Sequence, residues 1–314
     1  MLGSRRVFAA VALGIALVVA GCGGTDFSRR AVVAVPEGTS PATSPRVHNP
    51  ELQAAVLRSV PATSATRSAR TSISVTPTGL GEDSLTTGAY DIAGTGVVDF
   101  VSGNADLSLS IPLLDRLGGP GIVEERTVRD VVYTKMPAGV LRNAGLPASV
   151  HWLSLDLNRA GGVDRSALSQ SQVDPAGQLA FVAAASDDVR IVGREPVRGE
   201  PTTHYAATID LQDAGGGTRT AALRANLAPL EPAIGDRRLT LDVWIDRAGR
   251  IRRDVVSIPL SSQASADGPD VPAPDAMMRI QGDFYAFGTA VRVAAPPPAQ
   301  TRPYSALRSR VSTG

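Results

Sequence analysis

Few side chains in this 314-residue sequence are suited to covalent chemistry, and the one with the clearest address is Cys22. It closes Val19-Ala20-Gly21-Cys22, behind a basic pair, Arg5-Arg6, and an uncharged apolar stretch from Val7 to Ala20. Small residues ahead of the cysteine let a signal peptidase reach the Gly21–Cys22 bond, and the thiol is the only side chain there that can take a diacylglyceryl thioether. The pattern predicts a lipobox, with cleavage between Gly21 and Cys22 and lipidation of Cys22. The alternative is an ordinary secretory peptide cleaved near Gly23, with Cys22 lost. The apolar run is too short to cross a hydrocarbon core of ~30 Å at ~1.5 Å per residue, so it reads as an export signal. Ser4-Arg5-Arg6-Val7-Phe8 also resembles a twin-arginine signal. The general secretory route is the expectation, because paired basic residues open many ordinary signals.

Other reactive constellations fall short. Three His and one Cys cannot build a His/Cys zinc site or a disulfide framework, so neither a metal nor a cofactor is expected. His204 lies in an alternating strand beside Tyr205 and His151 precedes Trp152, positions that suit satisfied strand histidines. No Gly-x-Ser-x-Gly elbow marks a serine nucleophile. Glu124 and Glu125 are sequence neighbours, hence on opposite faces of a strand, and cannot act as one acid and base unit. Gly215-Gly216-Gly217 lacks the Gly-Lys-Ser/Thr of a phosphate loop. Asp99, Asp156 and Asp246 end strands, where turn and cap duty explains them. Trp152 and Trp244 read as packing residues rather than a ligand platform. With 31 Lys+Arg against 30 Asp+Glu and 4% aromatics, there is no electrostatic or stacking surface for nucleic acid. No catalytic residue is expected, and the chain does not read as an enzyme.

The elements that would position these residues are mostly strands. Asp106 to Ile111 and Leu239 to Asp246 alternate strictly, as Ile251 to Val256 does in part, so one face is buried and the other wet. Hairpins are expected for Val123–Val128 with Val131–Met136 across Arg129-Asp130, and for Val189–Glu195 with Thr202–Leu211 across Arg198-Gly199-Glu200. A third joins Leu239–Asp246 to Ile251–Val256 through Arg247-Ala248-Gly249-Arg250. Helices are few. Glu51 to Val60 offers Leu52, Val56 and Leu57 on one face, and Asp174-Pro175 caps a helix that continues from Gln178 to Ala185. Weaker helical runs are Ala138–Ala144 and Thr218–Ala228. Four segments follow: a signal at 1–21, lipidated Cys22 and a Gly/Ser/Thr/Pro-rich tether at 22–50, one domain at 51–293, and a Pro/Arg-rich disordered tail at 294–314. As a flexible coil the tether spans on the order of 30 Å, and ~90 Å at full stretch.

Five segments, taken with the lipobox and the run of antiparallel strands, carry a family resemblance. They are Asp130-Val-Val-Tyr-Thr-Lys-Met136, His151-Trp-Leu-Ser-Leu-Asp-Leu157, the Asp174-Pro175 helix start, Val192-Gly-Arg-Glu-Pro-Val-Arg-Gly-Glu-Pro-Thr-Thr-His-Tyr205, and Leu241-Asp-Val-Trp-Ile-Asp-Arg-Ala-Gly-Arg-Ile-Arg-Arg253. The sequence resembles the actinobacterial LppX/LprAFG lipoproteins, relatives in fold of the LolA/LolB carriers, over most of 50 to 293. It departs from them in the loop from Gln263 to Pro274 and in its basic tail. The resemblance implies an α+β fold: a single large curved antiparallel sheet, a half-barrel, with a few short helices over its concave face and an apolar cavity for acyl chains.

On that fold, the inward residues Leu107, Leu109, Ile111, Leu239, Leu241, Val243 and Ile245, with Val132, Leu153, Leu155, Phe181 and Ile209, are the expected lipid-cavity lining. The function expected is a monomeric lipoprotein that binds or shuttles acyl lipids or glycolipids, with an envelope transport partner. The alternative is a non-enzymatic sensor or assembly module whose sheet is filled by its own side chains. The expected location is the extracytoplasmic face of the cell membrane, where two or more acyl chains at ~0.8 kcal/mol per buried CH₂ anchor stably. Cys22→Ser should yield an unprocessed or released protein in cell fractionation, since a hydroxyl does not replace the thiolate as nucleophile. A variant found in membranes at the processed wild-type mass would overturn the lipobox.

Overall fold

Strict alternation sets the architecture, and the strands it produces pair into one open sheet. A computed structural model describes residues 48–78, 91–117, 120–156, 175–210, 238–259 and 276–308. Helix α1 (Pro50–Ser64) leads into β1 (Ser68–Thr78), β2 (Ile92–Asp99) and β3 (Ala105–Ser110). A 3-10 turn at Pro112–Leu117 precedes β4 (Ile122–Val128) and β5 (Val131–Lys135). Helix α2 (Ala138–Asn143), β6 (Trp152–Asp156) and helix α3 (Pro175–Ala183) follow. The second half is β7 (Arg190–Val197), β8 (Glu200–Asp210), β9 (Arg238–Asp246), β10 (Ile251–Pro259) and β11 (Met277–Tyr285), ending in β12 (Thr301–Pro303) and α4 (Ser305–Arg308).

The twelve strands run β12-β6-β5-β4-β3-β2-β1-β11-β10-β9-β8-β7. Two antiparallel meanders, β1 to β6 and β7 to β11, meet where β1 pairs with β11, Ile73 opposite Gly282. The sheet is single, large and open, with only a few short helices, as the family resemblance implied. It is mixed rather than purely antiparallel, because β12 runs parallel to β6, Arg302 opposite Leu153. The three expected hairpins are present. Two turn on positive-φ pairs, Arg129-Asp130 at 49° and 62° and Arg198-Gly199 at 50° and 82°, which match the twist of the flanking strands.

Helix α1 starts one residue earlier than its apolar pattern suggested and runs four residues further. Asn49 caps it, its side-chain oxygen accepting from the Leu52 N–H at 3.4 Å, with Pro50 in the first turn. Asn49 N–H also donates to the Asp187 carbonyl at 2.7 Å, so the end of the expected tether is already part of the fold. The buried face reads Val56, Ser59 and Thr63, with Leu52 and Val60 packed beside them, whereas Leu57 stands outside the core. Ser59 and Thr63 remain buried because their hydroxyls donate back to the Val56 and Ser59 carbonyls at 2.6 and 2.7 Å.

The C-terminal segment corrects the expectation of a disordered tail. Pro296 is buried, β12 pairs with β6, and Tyr304 N–H donates to the Ser154 carbonyl at 3.0 Å. A proline-rich stretch is stiff and extended before it docks, so laying it along an open edge costs little chain entropy, and the edge gains a partner. The opposite edge, β7, is protected by a register shift between Ile191 and Gly193 and by Pro196, which leave Ile191 and Val192 exposed. The weaker run Ala138–Ala144 is helix α2, while Thr218–Ala228, Asp174, the 263–274 loop and the glycines at 215–217 lie outside the described residues.

Thr63 ties the helix to the sheet. Its Oγ1 accepts from the Ile251 N–H at 2.8 Å, beside the register shift between Ile251 and Arg253, while donating to Ser59. Thr63→Val keeps the shape and strands that buried N–H, which costs about 1–3 kcal/mol. Chemical denaturation should show that loss with an unchanged m-value; a variant of wild-type stability would mean water reaches the Ile251 N–H.

Candidate functional site

Cross-strand register assigns each residue to a face. Leu109, Gly94, Ile73, Gly282, Asp254, Val243 and Tyr205 are successive partners across seven strands, and they share the inner side. Apolar residues from the eight adjacent strands β4 to β8 in sheet order join Val56 of α1 and Leu179, Phe181 and Val182 of α3 in one buried cluster. Both helices lie over β9 and β10.

Of the twelve residues expected to line a cavity, nine belong to this cluster: Leu107, Leu109, Ile111, Phe181, Ile209, Leu239, Leu241, Val243 and Ile245. Leu153 is buried in a separate group with Leu141, Leu146 and Val150, under α2 and the C-terminal segment. Val132 and Leu155 are cross-strand partners and only half-buried. Gly21 and Cys22 lie outside the described residues.

Polar groups interrupt the apolar face, as Thr71 does on β1, and two of these places bear on the site. Under α3, Asp254 is 0% exposed and Gln178 1%, and neither the Asp254 carboxylate oxygens nor the Gln178 amide atoms have a protein partner among the described residues. Gly282 makes room for them: a Cβ there would stand 1.7 Å from Gln178 Oε1 and 3.1 Å from Asp254 Oδ1. Burial pushes the Asp254 carboxyl well above the usual range, and the neighbouring Asp283 carboxylate adds to the rise. The rise favours the protonated carboxyl, which is both donor and acceptor.

The other interruption involves the C-terminal segment. Glu125 and Thr134 are cross-strand partners on the inner face, and Tyr304 hydrogen-bonds Thr134. Burial of the Tyr304 hydroxyl, aided by the Glu125 charge and opposed by Thr134, raises it to about 12.

The outer face is polar and engaged. His204 stacks on Trp244 at 4.0 Å, its Nε2 2.7 Å from Asp242 and its Nδ1 3.3 Å from Glu195. Trp244 Nε1 donates to Glu195 Oε1 at 2.5 Å, and its ring packs with Val197 and Val255, a small cluster apart from the main core. Arg126 lies over Trp152 at 4.8 Å. Both tryptophans therefore pack, and His204 is a satisfied strand histidine. Glu124 faces outward to Lys135 at 2.5 Å, on the side opposite Glu125. Asp99 and Asp246 are turn caps: Asp99 accepts from the Val101 N–H at 2.8 Å and Asp246 from the Ala248 N–H at 2.9 Å.

At the end of the β7–β8 hairpin lies a cleft of about 480 Å³, lined by residues of β7, β8 and the end of β9, among them Arg194, Thr203, Ile245 and Arg247. Sequence reasoning missed this cleft and the buried Asp254–Gln178 pair. Asp254 had a legible signal: in the period-two frame it shares the face of Val256 and Ile258. The cleft had none, since its parts are separated in sequence.

No family model matches the chain. Over 142 residues, 43% of the chain, it is 33% identical to an uncharacterized 31.2 kDa protein encoded between rplA and rplJ in Streptomyces griseus, and it spans 45% of that protein, about half its length. Its structural neighbours include LppX and LprF. They are actinobacterial lipoproteins of the family that the sequence resembles. LppX of Mycobacterium tuberculosis aligns with 78% of this chain and 99% of its own at a TM-score of 0.44 and 18% identity. LprF of Mycobacterium bovis aligns with 79% and 98% at a TM-score of 0.40 and 16% identity. A putative outer membrane lipoprotein-sorting protein domain from Vibrio parahaemolyticus aligns with 76% and 95% at 0.21 and 6%.

The raised Asp254 carboxyl makes stability depend on pH. In the unfolded chain it releases its proton near ~4. Folded, it holds that proton to higher pH, so above ~4 the native state binds more protons than the unfolded one and stability falls as pH rises. Asp254→Asn removes this penalty. Its advantage over the wild type in thermal melts should be absent below about pH 4 and widen above it, by at most about 1.4 kcal/mol per pH unit. Parallel curves would mean that the folded carboxyl ionises normally.

Proposed function

We propose that the chain is a membrane-anchored lipoprotein with no reaction of its own, which binds and shuttles an acyl lipid or glycolipid against the inner face of its open sheet. The observation behind this reading is the apolar surface contributed by eight adjacent strands, over which two helices, α1 and α3, lie at β9 and β10. An acyl chain passing from a bilayer to such a surface exchanges one apolar environment for another, so its free energy changes little. The free chain in water would be opposed by ~0.8 kcal/mol per CH₂. A lipidated Cys22 would keep the domain within a tether's length of the donor membrane.

A second reading, a sensor or assembly module with a self-filled sheet, draws support from the packing. Ten of the twelve expected lining residues are already buried against protein neighbours. Lipid extraction and mass spectrometry of the purified protein, repeated on bulky variants, separates the two. In a solid core Val243→Trp overpacks, at about 1–3 kcal/mol, and lowers the melting temperature. Where helices give way to a ligand, Val243→Trp, Leu241→Trp and Leu109→Trp should instead keep the melting temperature and lower copurifying lipid. If every one destabilises the fold and none alters bound lipid, the carrier reading fails.

A further inference from the structure

Arg194 and Arg247 line the cleft at the end of the β7–β8 hairpin, and among the described residues neither guanidinium has a carboxylate partner. The two carboxylates in the same lining are already committed. Glu195 accepts from Trp244 Nε1 at 2.5 Å and lies 3.3 Å from His204. Asp246 accepts from the Ala248 and Arg250 N–H groups at 2.9 and 3.0 Å and from the Arg250 guanidinium at 2.8 Å. The charge left to meet a ligand is positive, and forked guanidiniums suit the paired oxygens of a phosphate.

Position gives this charge a meaning. Thr203 and Ile245 in the lining are cross-strand partners on the inner face. The pairs Tyr205–Val243, Ala207–Leu241 and Ile209–Leu239 continue that face inward, and Val243, Leu241, Leu239 and Ile209 are each 1% exposed or less. One strand pair thus runs from a cationic cleft into the apolar interior. The cleft volume falls in the ligand-pocket range of ~300–1,000 Å³. We propose that the cleft binds the phosphodiester headgroup of an anionic lipid, whose acyl chains lie against the inner face of β8 and β9. The proposal rests on the lipid-binding reading and adds to it a headgroup class and an end of the sheet where the headgroup resides.

The test uses the full chain, purified in detergent and incubated with equal amounts of dioleoylphosphatidylglycerol and dioleoylglycerol, which share acyl chains and differ in the phosphoglycerol group. Native mass spectrometry reads the retained lipid. The wild type should retain the phospholipid at least tenfold over the neutral lipid. Arg194→Gln with Arg247→Gln should cut that preference at least fivefold, leaving the neutral lipid and the melting temperature unchanged, and the double lysine variant should restore part of it. Equal retention of both lipids by the wild type, or an unaltered preference in the glutamine variant, overturns the headgroup site while acyl binding stands. Retention of neither lipid removes the lipid-binding reading and the site together. Two further arms separate the source of the phosphate. Inorganic phosphate that binds at the arginines while no phospholipid is retained marks a site for a free anion. Glutamine variants that lose only cosedimentation with phosphatidylglycerol vesicles, and keep their bound lipid, mark a contact with the bilayer surface. Either result overturns the proposal.

Discussion

The inner face of the sheet is the constraint on which the rest depends. Eight neighbouring strands turn apolar side chains to one side, and an open sheet cannot bury that side by closing on itself. The cover has to come from elsewhere in the chain. Helices α1 and α3 supply it over β9 and β10, while α2 and the C-terminal segment supply it over Leu153 at the β6 end. Each cover is fastened by few polar links: Thr63 to Ile251, Asn49 to Asp187, Tyr304 to Ser154. The layer over β9 and β10, held mainly by non-directional apolar contact, can shift without breaking a ladder of hydrogen bonds, whereas the C-terminal segment is joined to one through β12.

The polar exceptions on that face stand out because the frame around them is regular. Asp254 and Gln178 occupy core positions where hydrocarbon would pack, and Gly282 keeps their space open. Buried polar groups without partners are rare in folded proteins, and they mark places where stability has been given up. The outer face shows the reverse arrangement. There His204, Trp244, Arg253 and Asp283 are successive cross-strand partners, and most of their polar groups are engaged.

Period-two alternation made β3, β9 and the hairpins legible in sequence, because each side chain's face follows from its parity alone. The same parity placed eight of the twelve expected residues in the main core, and helix α3 brings the ninth, Phe181. It could not show that Leu153 lies under the C-terminal segment, since that depends on a contact between residues far apart in sequence. Composition misjudged residues 294–308. Pro296, Pro297 and Pro298 read as disorder, whereas the chain beyond them carries Tyr304, one aromatic anchor, to the sheet edge. The cleft was illegible for the same reason: Arg194 and Arg247 meet only after β7, β8 and β9 have paired.

The seam between β1 and β11 fixes the order in which this protein can be assembled. Arg70 pairs with Tyr285, and Thr78 with Met277, so a strand made early waits for one made roughly two hundred residues later. The two meanders have local partners and can form as they emerge, but each leaves an exposed apolar face until the seam joins them. A chain threaded through a membrane pore would therefore arrive outside with its halves unjoined. On such a route, until Tyr285 had cleared the pore its survival would be a matter of solubility and of chaperones, and β12 would take its place on β6 only after that.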